Sequence, residues 1–153
     1  MDTRKTLPLL RYLEKYAVFT GGGTNHRMGL YDQVLIKDNH IKCKSGSLKS
    51  LVELARKKSL KNTVVEIEVS SIEEFSDALE GKPDIIMLDN MRPGDVKACV
   101  EIKRLAKFKP LLEVSGGINL ETVEEYAKTR VDMISVGLLT SSVTDIDMSL
   151  ELI

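Results

Sequence analysis

The chain has 153 residues, of which 42% are hydrophobic and 29% charged, with a formal net charge of −1 at pH 7. This length supports one domain with its own hydrophobic core, and the near-neutral charge excludes general attraction to nucleic acid or to an anionic membrane. Cys43 and Cys99 lie far apart with no metal-ligand spacing, which favours free thiols. No signal-peptide pattern opens the sequence and no apolar run is long enough to span a membrane, so we expect a cytoplasmic protein.

Short apolar runs alternate with segments of helical periodicity along the chain. The predicted strands are 34–37, 64–69, 84–90, 111–117 and 131–137, and a last strand is predicted in the tail between 143 and 152. The predicted helix starts are Thr6, Ser47, the capping box Ser71–Glu74 and Asn119, and Gly81 is the predicted end of one helix. This alternation indicates βαβ units and a parallel sheet.

The number of predicted strands is too small for a complete barrel. An eight-unit (β/α) barrel needs about 200–250 residues. We therefore predict an α/β fold with one domain over 1–153, which is a partial (β/α) barrel of about five to six parallel strands, with a small open sheet as the alternative. Charged residues lead almost directly into the first helix, so we expect the chain to be the truncated part of a longer protein.

Charged side chains interrupt strands that would ordinarily be apolar. Glu66 and Glu68 project from one face of their strand, Glu113 interrupts another, and Asp89 and Lys37 end two more. Each of these residues alone could form a structural ion pair. Together, at the carboxyl ends of successive parallel strands, they favour a functional site. Glu68 and Asp89 are suited to Mg²⁺, which prefers a few carboxylates and several substrate oxygens.

Glycines and cations complete this predicted site. The SGG run at 115–117 and the SVG run at 135–137 follow strands, where backbone N–H groups can approach a phosphate. Gly21–Gly23 lacks the Lys-Ser/Thr of a P-loop. The cations Arg4, Lys5, Arg27 and Lys37, with His26 as a further donor, suit a substrate with several carboxylates and a phosphate.

Three other basic residues of this part of the chain are predicted to have no role in the site. His40 is predicted to be structural. Arg11 and Lys15 are predicted to lie on the solvated face of the first helix.

Six motifs together resemble the nicotinate-nucleotide pyrophosphorylase family, also called quinolinate phosphoribosyltransferases. They are DTRKT (2–6), GGGTNHRMGLYDQVLIKDNHI (21–41), EIEV (66–69), MLDN (87–90), SGGI (115–118) and SVGLLT (135–140). They span nearly the whole chain in the family's order. The resemblance implies an enzyme of NAD biosynthesis that joins quinolinate to phosphoribosyl pyrophosphate with Mg²⁺. Its products are nicotinate mononucleotide, CO₂ and pyrophosphate.

The resemblance also implies roles for individual residues. Arg4, His26, Arg27 and Lys37 would hold the quinolinate carboxylates, Lys5 would face phosphoribosyl pyrophosphate, and Thr3 would also bind substrate. Glu68 and Asp89 would bind ribose hydroxyls and Mg²⁺ with Asn90 close by, while Ser115, Gly116, Gly117 and Gly137 would cradle the 5′-phosphate. Lys37, Glu68 and Asp89 are the implied catalytic residues.

Some features depart from the family pattern. The family has an N-terminal sandwich domain and earlier barrel strands, and this domain caps the site of the partner subunit in a dimer and adds a substrate-binding arginine. We therefore expect this chain alone to be inactive or nearly so. Arg130 stands where a helix-ending glycine is expected, and Ser141 where the family often has histidine.

Three alternatives stay open from the sequence. The first is a paralogue of the same fold that acts on another carboxylated base. The second is a barrel lyase that uses Lys37 as a Schiff-base lysine. The third is a non-catalytic remnant that binds phosphate.

Overall fold

The computed structural model describes residues 1–43, 46–144 and 146–152. Its strands are β1 (Val34–Ile36), β2 (Val65–Val69), β3 (Ile85–Asp89), β4 (Leu111–Ser115) and β5 (Met133–Ile134). Its helices are α1 (Arg11–Thr20), α2 (Asp38–Lys42), α3 (Leu48–Lys58), α4 (Ile72–Glu80), α5 (Pro93–Leu105), α6 (Val123–Ala127) and α7 (Leu138–Ser141). The first five predicted strands are thus confirmed.

The five strands form one parallel sheet in the order β1-β2-β3-β4-β5. Because βαβ crossovers are right-handed, consecutive order places the crossover helices on one face of the sheet. This is the winding of a (β/α) barrel, whereas a doubly wound sheet reverses its strand order. The predicted α/β fold and strand number are confirmed, and among the described residues the ladder does not continue from β5 back to β1.

An extended segment at the start of the chain lies beside the edge of the sheet. The Met1 amino group donates to the Ile134 carbonyl at 2.6 Å, and the Val136 N–H donates to the Met1 carbonyl at 3.0 Å. On the other side of this segment, the Asp2 N–H donates to the Thr24 carbonyl at 3.1 Å. The chain therefore continues the sheet beyond β5 and brings residues 3–5 to the carboxyl ends of the strands.

The hydrophobic core lies between the sheet and α3, α4 and α5. Its fully buried members are Val65, Ile67, Ile86, Leu88, Leu112 and Val114 on strands, and Val52, Phe75, Ala78, Val96 and Cys99 on helices. Each large side chain buried in this way contributes about 1.5–3 kcal/mol. Since side chains alternate along a strand, Glu66, Glu68, Met87, Asp89 and Glu113 project from the opposite face. Both cysteines are free, as predicted.

Two predicted helix starts are confirmed. The Ser47 hydroxyl accepts the Ser50 N–H, and the Ser71 hydroxyl accepts the Glu74 N–H at 3.2 Å. The predicted end of α4 at Gly81 is also confirmed, although the left-handed residue there is Lys82, with φ of +56°.

Two other predicted starts are wrong. Thr6 does not cap α1, because Leu9 has a left-handed φ of +67° that helical backbone excludes, and the helix begins at Arg11. Asn119 instead stabilises a turn, in which its side-chain oxygen accepts the N–H groups of Glu121 and Thr122. Helix α6 begins after this turn, at Val123.

The predicted tail strand is absent from residues 142–144 and 146–152. The edge of β5 already bonds to Met1, so this edge is not available to the tail. The apolar residues that suggested a strand are instead exposed, with Ile146 80% and Leu152 96% accessible. Part of this prediction falls on Asp145, which lies outside the described residues.

Two further observations concern the helices. Arg130 adopts a φ of +62°, so arginine occupies the left-handed position where glycine was expected, and the turn after α6 still forms. None of the described helices is both long and apolar enough to cross a membrane.

Candidate active site

One cavity of about 480 Å³ collects nearly all of the predicted site residues. It is lined by Thr3, Arg4, Lys5, His26, Arg27, Leu35, Lys37, Glu68, Met87, Asp89, Asn90, Glu113, Ser115, Gly116 and Gly117. Gly137 is the one predicted residue outside this lining, and it precedes α7. Sequence reasoning counted Glu113 among the strand charges that favour a site without giving it a role, and it did not assign Leu35 and Met87.

Strand register explains the added residues. Glu68, Met87 and Glu113 are register partners on β2, β3 and β4. Partners in a parallel sheet point to the same face, so the three form a row across the cavity. Asp89 and Ser115 are partners two residues further on and form the next row. Because side chains alternate along a strand, stepping back two residues from Asp89 gives Met87, and stepping back two from Ser115 gives Glu113.

The basic side of the cavity places two guanidinium groups near each other. Burial lowers the pKa of Arg27, and the charge of Arg4 lowers it further. Arg27 Nη1 makes one long contact of 3.4 Å to the carbonyl oxygen of Gln33. Neighbouring cations repel each other unless an anion lies between them, and planar guanidinium groups bind carboxylates in two-point fashion. This side is therefore suited to an acidic ligand.

Lys15 and Asp2 form a buried ion pair behind these cations. Lys15 Nζ donates to Asp2 Oδ1 at 2.6 Å and to the His26 carbonyl at 2.9 Å, and the same Asp2 oxygen accepts the His26 N–H at 2.7 Å. The side chains are 1% and 0% exposed. The prediction that Lys15 is solvated is wrong, because the loop that carries His26 covers this face of α1.

Arg11 is also not simply solvated. It is half-buried and donates to the Thr6 hydroxyl at 3.1 Å and to the Met28 carbonyl at 3.4 Å. The same loop therefore covers both of the basic residues that helical periodicity placed on the surface.

His26 and two glutamates meet at the wall of the cavity, on the face of the sheet opposite the hydrophobic core. His26 Nε2 lies 3.4 Å from a carboxylate oxygen of Glu66 and 3.4 Å from one of Glu113. Both glutamates are fully buried, and the His26 side chain is 7% exposed. Gln33 donates to Glu66, and the Ser135 hydroxyl donates to Glu113 at 2.6 Å. Among the described residues, Glu66 Oε1 has no hydrogen-bond donor, and Glu113 Oε2 has none besides the long 3.4 Å contact from His26 Nε2.

This cluster keeps a proton that its members would ordinarily lose. Burial alone lowers the pKa of His26, but the hydrogen bonds and charges of Glu113 and Glu66 outweigh burial and raise it to about 9. Burial also raises the pKa of Glu66. The Arg27 N–H lies 2.7 Å from His26 Nδ1 and can donate to it only in the neutral ring, whose Nε2 hydrogen then faces the carboxylates. The two carboxylates therefore favour a second proton on the ring, and this contact opposes it. The three ligand atoms lie within 4.8 Å of one another, which is also the size of a metal site.

The acidic side of the cavity lies at the ends of β2 and β3. Lys37 Nζ donates to Glu68 Oε2 at 2.7 Å, with side chains that are 48% and 12% exposed. The Asn90 amide donates to Asp89 Oδ2 at 2.7 Å. Glu68 and Asp89 also line a second cavity of about 410 Å³, together with Asp38 and Ser70 among others. These two carboxylates therefore form a wall that the two cavities share.

His40 has the structural role that the sequence predicted. Its Nδ1 accepts the Lys37 N–H at 2.9 Å at the start of α2, and its side chain does not line the cavity.

The loop after β4 closes the cavity with glycines. Gly116 has a φ of +96°, and a Cβ atom there would lie 2.3 Å from Asn90 Oδ1, so no larger residue fits. Gly117 has a φ of +63° and open space where its Cβ would be. The Asn90 N–H donates to the Ser115 carbonyl at 2.9 Å, which joins this loop to the end of β3. Such exposed glycine backbone is typical of phosphate sites.

The family to which the chain belongs follows from comparison with known proteins. A family model described as "Quinolinate phosphoribosyl transferase, C-terminal domain" matches residues 1–151. The chain belongs to this family. It is 48% identical over 155 residues to the probable nicotinate-nucleotide pyrophosphorylase (carboxylating) of Methanocaldococcus jannaschii, covering 99% of this chain and 54% of that protein. It is 43% identical over 153 residues to the corresponding Mycobacterium leprae protein, covering 99% and 52%.

Solved structures give the same result for the fold. The nicotinate-nucleotide pyrophosphorylase of Francisella tularensis has a TM-score of 0.89 at 47% identity, covering 97% of this chain and 51% of that one. NadC from Streptococcus pyogenes has a TM-score of 0.91 at 38% identity, covering 98% and 51%. The chain therefore spans about half the length of the relatives it matches. The predicted recognition of the family is confirmed.

Proposed function

We propose that this chain carries the phosphoribosyl transfer site of a carboxylating nicotinate-nucleotide pyrophosphorylase. The reaction joins quinolinate to phosphoribosyl pyrophosphate and yields nicotinate mononucleotide, CO₂ and pyrophosphate. The observation that carries the proposal is one cavity in which clustered cations face two carboxylates and a glycine loop. These three surfaces match a dicarboxylate, a ribose with its metal, and a 5′-phosphate.

The basic side would bind quinolinate. Arg4, Arg27 and Lys37 would hold its two carboxylates, and His26 lies beside them in the cavity lining, where Glu66 and Glu113 offset any charge on its ring. Binding both reactants in one cavity would place the ring nitrogen of quinolinate next to the reacting carbon of the ribose. This removes most of the entropic cost of bringing the two atoms together. Once the nitrogen is ribosylated it is positive, and its charge would stabilise the electron pair that loss of CO₂ leaves on the neighbouring ring carbon until that carbon takes up a proton.

The acidic side and the glycine loop would bind phosphoribosyl pyrophosphate. Glu68 and Asp89 end neighbouring strands and line the same cavity, and carboxylate oxygens in this number suit Mg²⁺, which would neutralise the leaving pyrophosphate. Lys5 and Thr3 would face the same substrate. Gly116 and Gly117 with Ser115 would bind the 5′-phosphate, while Gly137 would have to act from outside the present lining.

The Schiff-base alternative loses support from the surroundings of Lys37. A Schiff-base lysine needs a desolvated amine. Lys37 is instead 48% exposed and ion-paired with Glu68. Trapping with borohydride and a carbonyl substrate would label Lys37 only if this alternative were correct.

Calorimetry on the chain tests the proposal by binding rather than by turnover, because the relatives are about twice as long. We expect phosphoribosyl pyrophosphate to bind about tenfold or more tightly with Mg²⁺ than without it. Asp89→Asn should abolish this difference, and Asp147→Asn in the exposed tail should keep it. Absence of binding by the native chain would contradict the proposal, and binding that does not depend on Mg²⁺ would favour the phosphate-binding remnant.

Affinities for a series of carboxylic acids test which carboxylated base the site binds. Quinolinate should bind about tenfold or more tightly than nicotinate, because the second carboxylate adds a charge-assisted contact. Equal or reversed affinities would favour the paralogue that acts on another carboxylated base.

We also propose that the active protein is a homodimer or a larger homo-oligomer. An apolar surface on and before α1 supports this, since Leu9, Tyr12, Leu13, Tyr16 and Phe19 are between 66% and 100% exposed. Large exposed apolar patches are typical of interfaces. Sedimentation of the native chain and of Tyr16→Glu checks the proposal, and an association that does not respond to this change would contradict the assigned surface.

A further inference from the structure

The Asp2–Lys15 ion pair lies at the meeting point of three parts of the chain. Asp2 belongs to the extended segment that carries Arg4 and Lys5. Lys15 is on α1. Both side chains bond to the main chain of His26, in the loop that carries Arg27. Because the cavity takes four of its cationic or imidazole groups from these segments, the pair is a common anchor for all of them.

The contacts of the pair are made to backbone atoms as well as to each other. The Asp2 carboxylate accepts the His26 N–H at 2.7 Å, and the Lys15 ammonium donates to the His26 carbonyl at 2.9 Å. The N–H of His26 is therefore held by the negative carboxylate of Asp2, and its carbonyl by the positive ammonium of Lys15. In the amide orientation that satisfies both of its side-chain atoms, Asn25 also donates to the second oxygen of Asp2 at 2.7 Å and to the Lys15 carbonyl at 3.0 Å.

Complete burial separates this pair from an ordinary surface ion pair. Neither side chain lines the cavity, and their exposed fractions are 1% and 0%. Removing two charges from water is unfavourable unless further hydrogen bonds compensate. The compensation here comes from His26, so the pair and the loop conformation depend on each other. Meanwhile Arg4 and Arg27 repel each other and would separate if their segments were free to move.

We infer that Asp2 and Lys15 are positioning residues that hold the cationic side of the cavity in place for an acidic ligand. This inference rests on the proposed function for the identity of that ligand, quinolinate. The pair does not touch the ligand. It acts through the main chain of His26, which fixes Arg27, and through the segment that leads from Asp2 to Arg4.

Two variants test the inference, with a matched control. Lys15→Met removes the ammonium but keeps the length of the side chain, and the double variant Asp2→Asn, Lys15→Met leaves no unpaired buried charge if the single variant does not fold. Lys128→Met is the control, because Lys128 forms an exposed pair with Glu124 at 2.8 Å away from the cavity.

Amide hydrogen exchange is the first measurement, and it needs no ligand. We expect exchange at His26 and Arg27 to accelerate about tenfold or more relative to Ile86 and Leu112 in the core strands, since these loop amides lose their anchor. The control should change none of the four. Unchanged relative exchange at His26 in both Lys15 variants would overturn the inference, whatever the ligand is.

Ligand affinity is the second measurement. Quinolinate should bind about tenfold or more weakly to the Lys15 variants, because small displacements of the binding groups are costly. Ribose 5-phosphate, which is expected to bind at the glycine loop after β4, should keep its affinity within about twofold. An equal loss of affinity for both ligands would indicate that the whole structure has become less rigid, and it would overturn the positioning role. Failure of the native chain to bind quinolinate would instead contradict the proposed function, and hydrogen exchange would still decide the anchor.

Discussion

Two lysine–carboxylate pairs in this protein have almost the same geometry and different surroundings. Lys15 and Asp2 lie 2.6 Å apart with both side chains buried, and Lys37 and Glu68 lie 2.7 Å apart with side chains 48% and 12% exposed. The first pair bonds to the main chain of His26, and the second faces the cavity. Their roles therefore follow from burial and from their other contacts.

The difference has an energetic basis. A buried pair loses hydration on both ions and needs further hydrogen bonds, so removing one partner leaves an unpaired buried charge. An exposed pair is screened by water and contributes little to stability, so its groups remain available to a ligand. A distance alone would have placed the two pairs in one class.

Replacing Lys15 with alanine should have the largest effect. We expect the free energy of unfolding to fall by about 3–5 kcal/mol, because Asp2 is left buried without its cation. Urea denaturation measures the change, and Lys128→Ala at the exposed pair with Glu124 is the control. A loss below about 1 kcal/mol would mean that water reaches Asp2 and that the two pairs do not differ.

The His26 cluster extends the comparison to a buried group that titrates. The pKa of His26 is raised to about 9, so the stabilisation is complete below its unfolded value near 6.5 and is lost as the pH rises through 9. We expect the free energy of unfolding to fall by up to roughly 3 kcal/mol between these pH values. Denaturation at a series of pH values measures this, and Glu113→Gln should flatten the curve. An equally steep curve in that variant would remove Glu113 as the cause.

Replacing Lys37 with glutamine should separate stability from binding. The free energy of unfolding should change by less than about 1 kcal/mol, since the lysine is half exposed. Quinolinate affinity should fall about tenfold, because one charge-assisted contact is lost. Denaturation and calorimetry on the same sample check both values. A large loss of stability with unchanged affinity would reverse the roles that we assign to the two pairs.

Salt should have the smallest effect and should act on one pair only. At 1 M salt the screening length is about 3 Å, so the coupling of Lys37 with Glu68 should fall by roughly 0.5 kcal/mol. The coupling of Lys15 with Asp2 should stay constant, because buried charges are screened much less. Double-mutant cycles at low and high salt measure both couplings. Equal sensitivity would contradict the difference in environment.

Much of the fold could be predicted from the sequence, because local patterns determine it. Strand periodicity gave the five strands, and serine at a helix start gave the caps at Ser47 and Ser71. Long-range contacts account for the errors. Met1 bonds to the edge of β5 across more than 130 residues, and no local pattern predicts that this edge is unavailable to the tail.

The same distinction between local patterns and long-range contacts applies to the predictions for the candidate site. Charged residues at strand ends indicated Lys37, Glu68 and Asp89, because charge is costly in a buried strand and the ends of parallel strands meet. Lys15 was assigned to solvent because helical periodicity describes one helix and not the loop that covers it. The partners of His26 also depend on β2 and β4, and their register is not visible in the residues around position 26.

The contact between Gly116 and Asn90 has a consequence for how the sequence can vary. A Cβ at position 116 would collide with the Asn90 side chain, and Asn90 itself has a left-handed φ of +54° and bonds to the loop through its N–H. The same Cβ would lie 2.8 Å from the Asn90 backbone nitrogen, so a smaller side chain at position 90 would not make room for it. Across related sequences we therefore expect glycine at position 116 whatever residue stands at position 90, because the main chains at the ends of β3 and β4 approach too closely for any other.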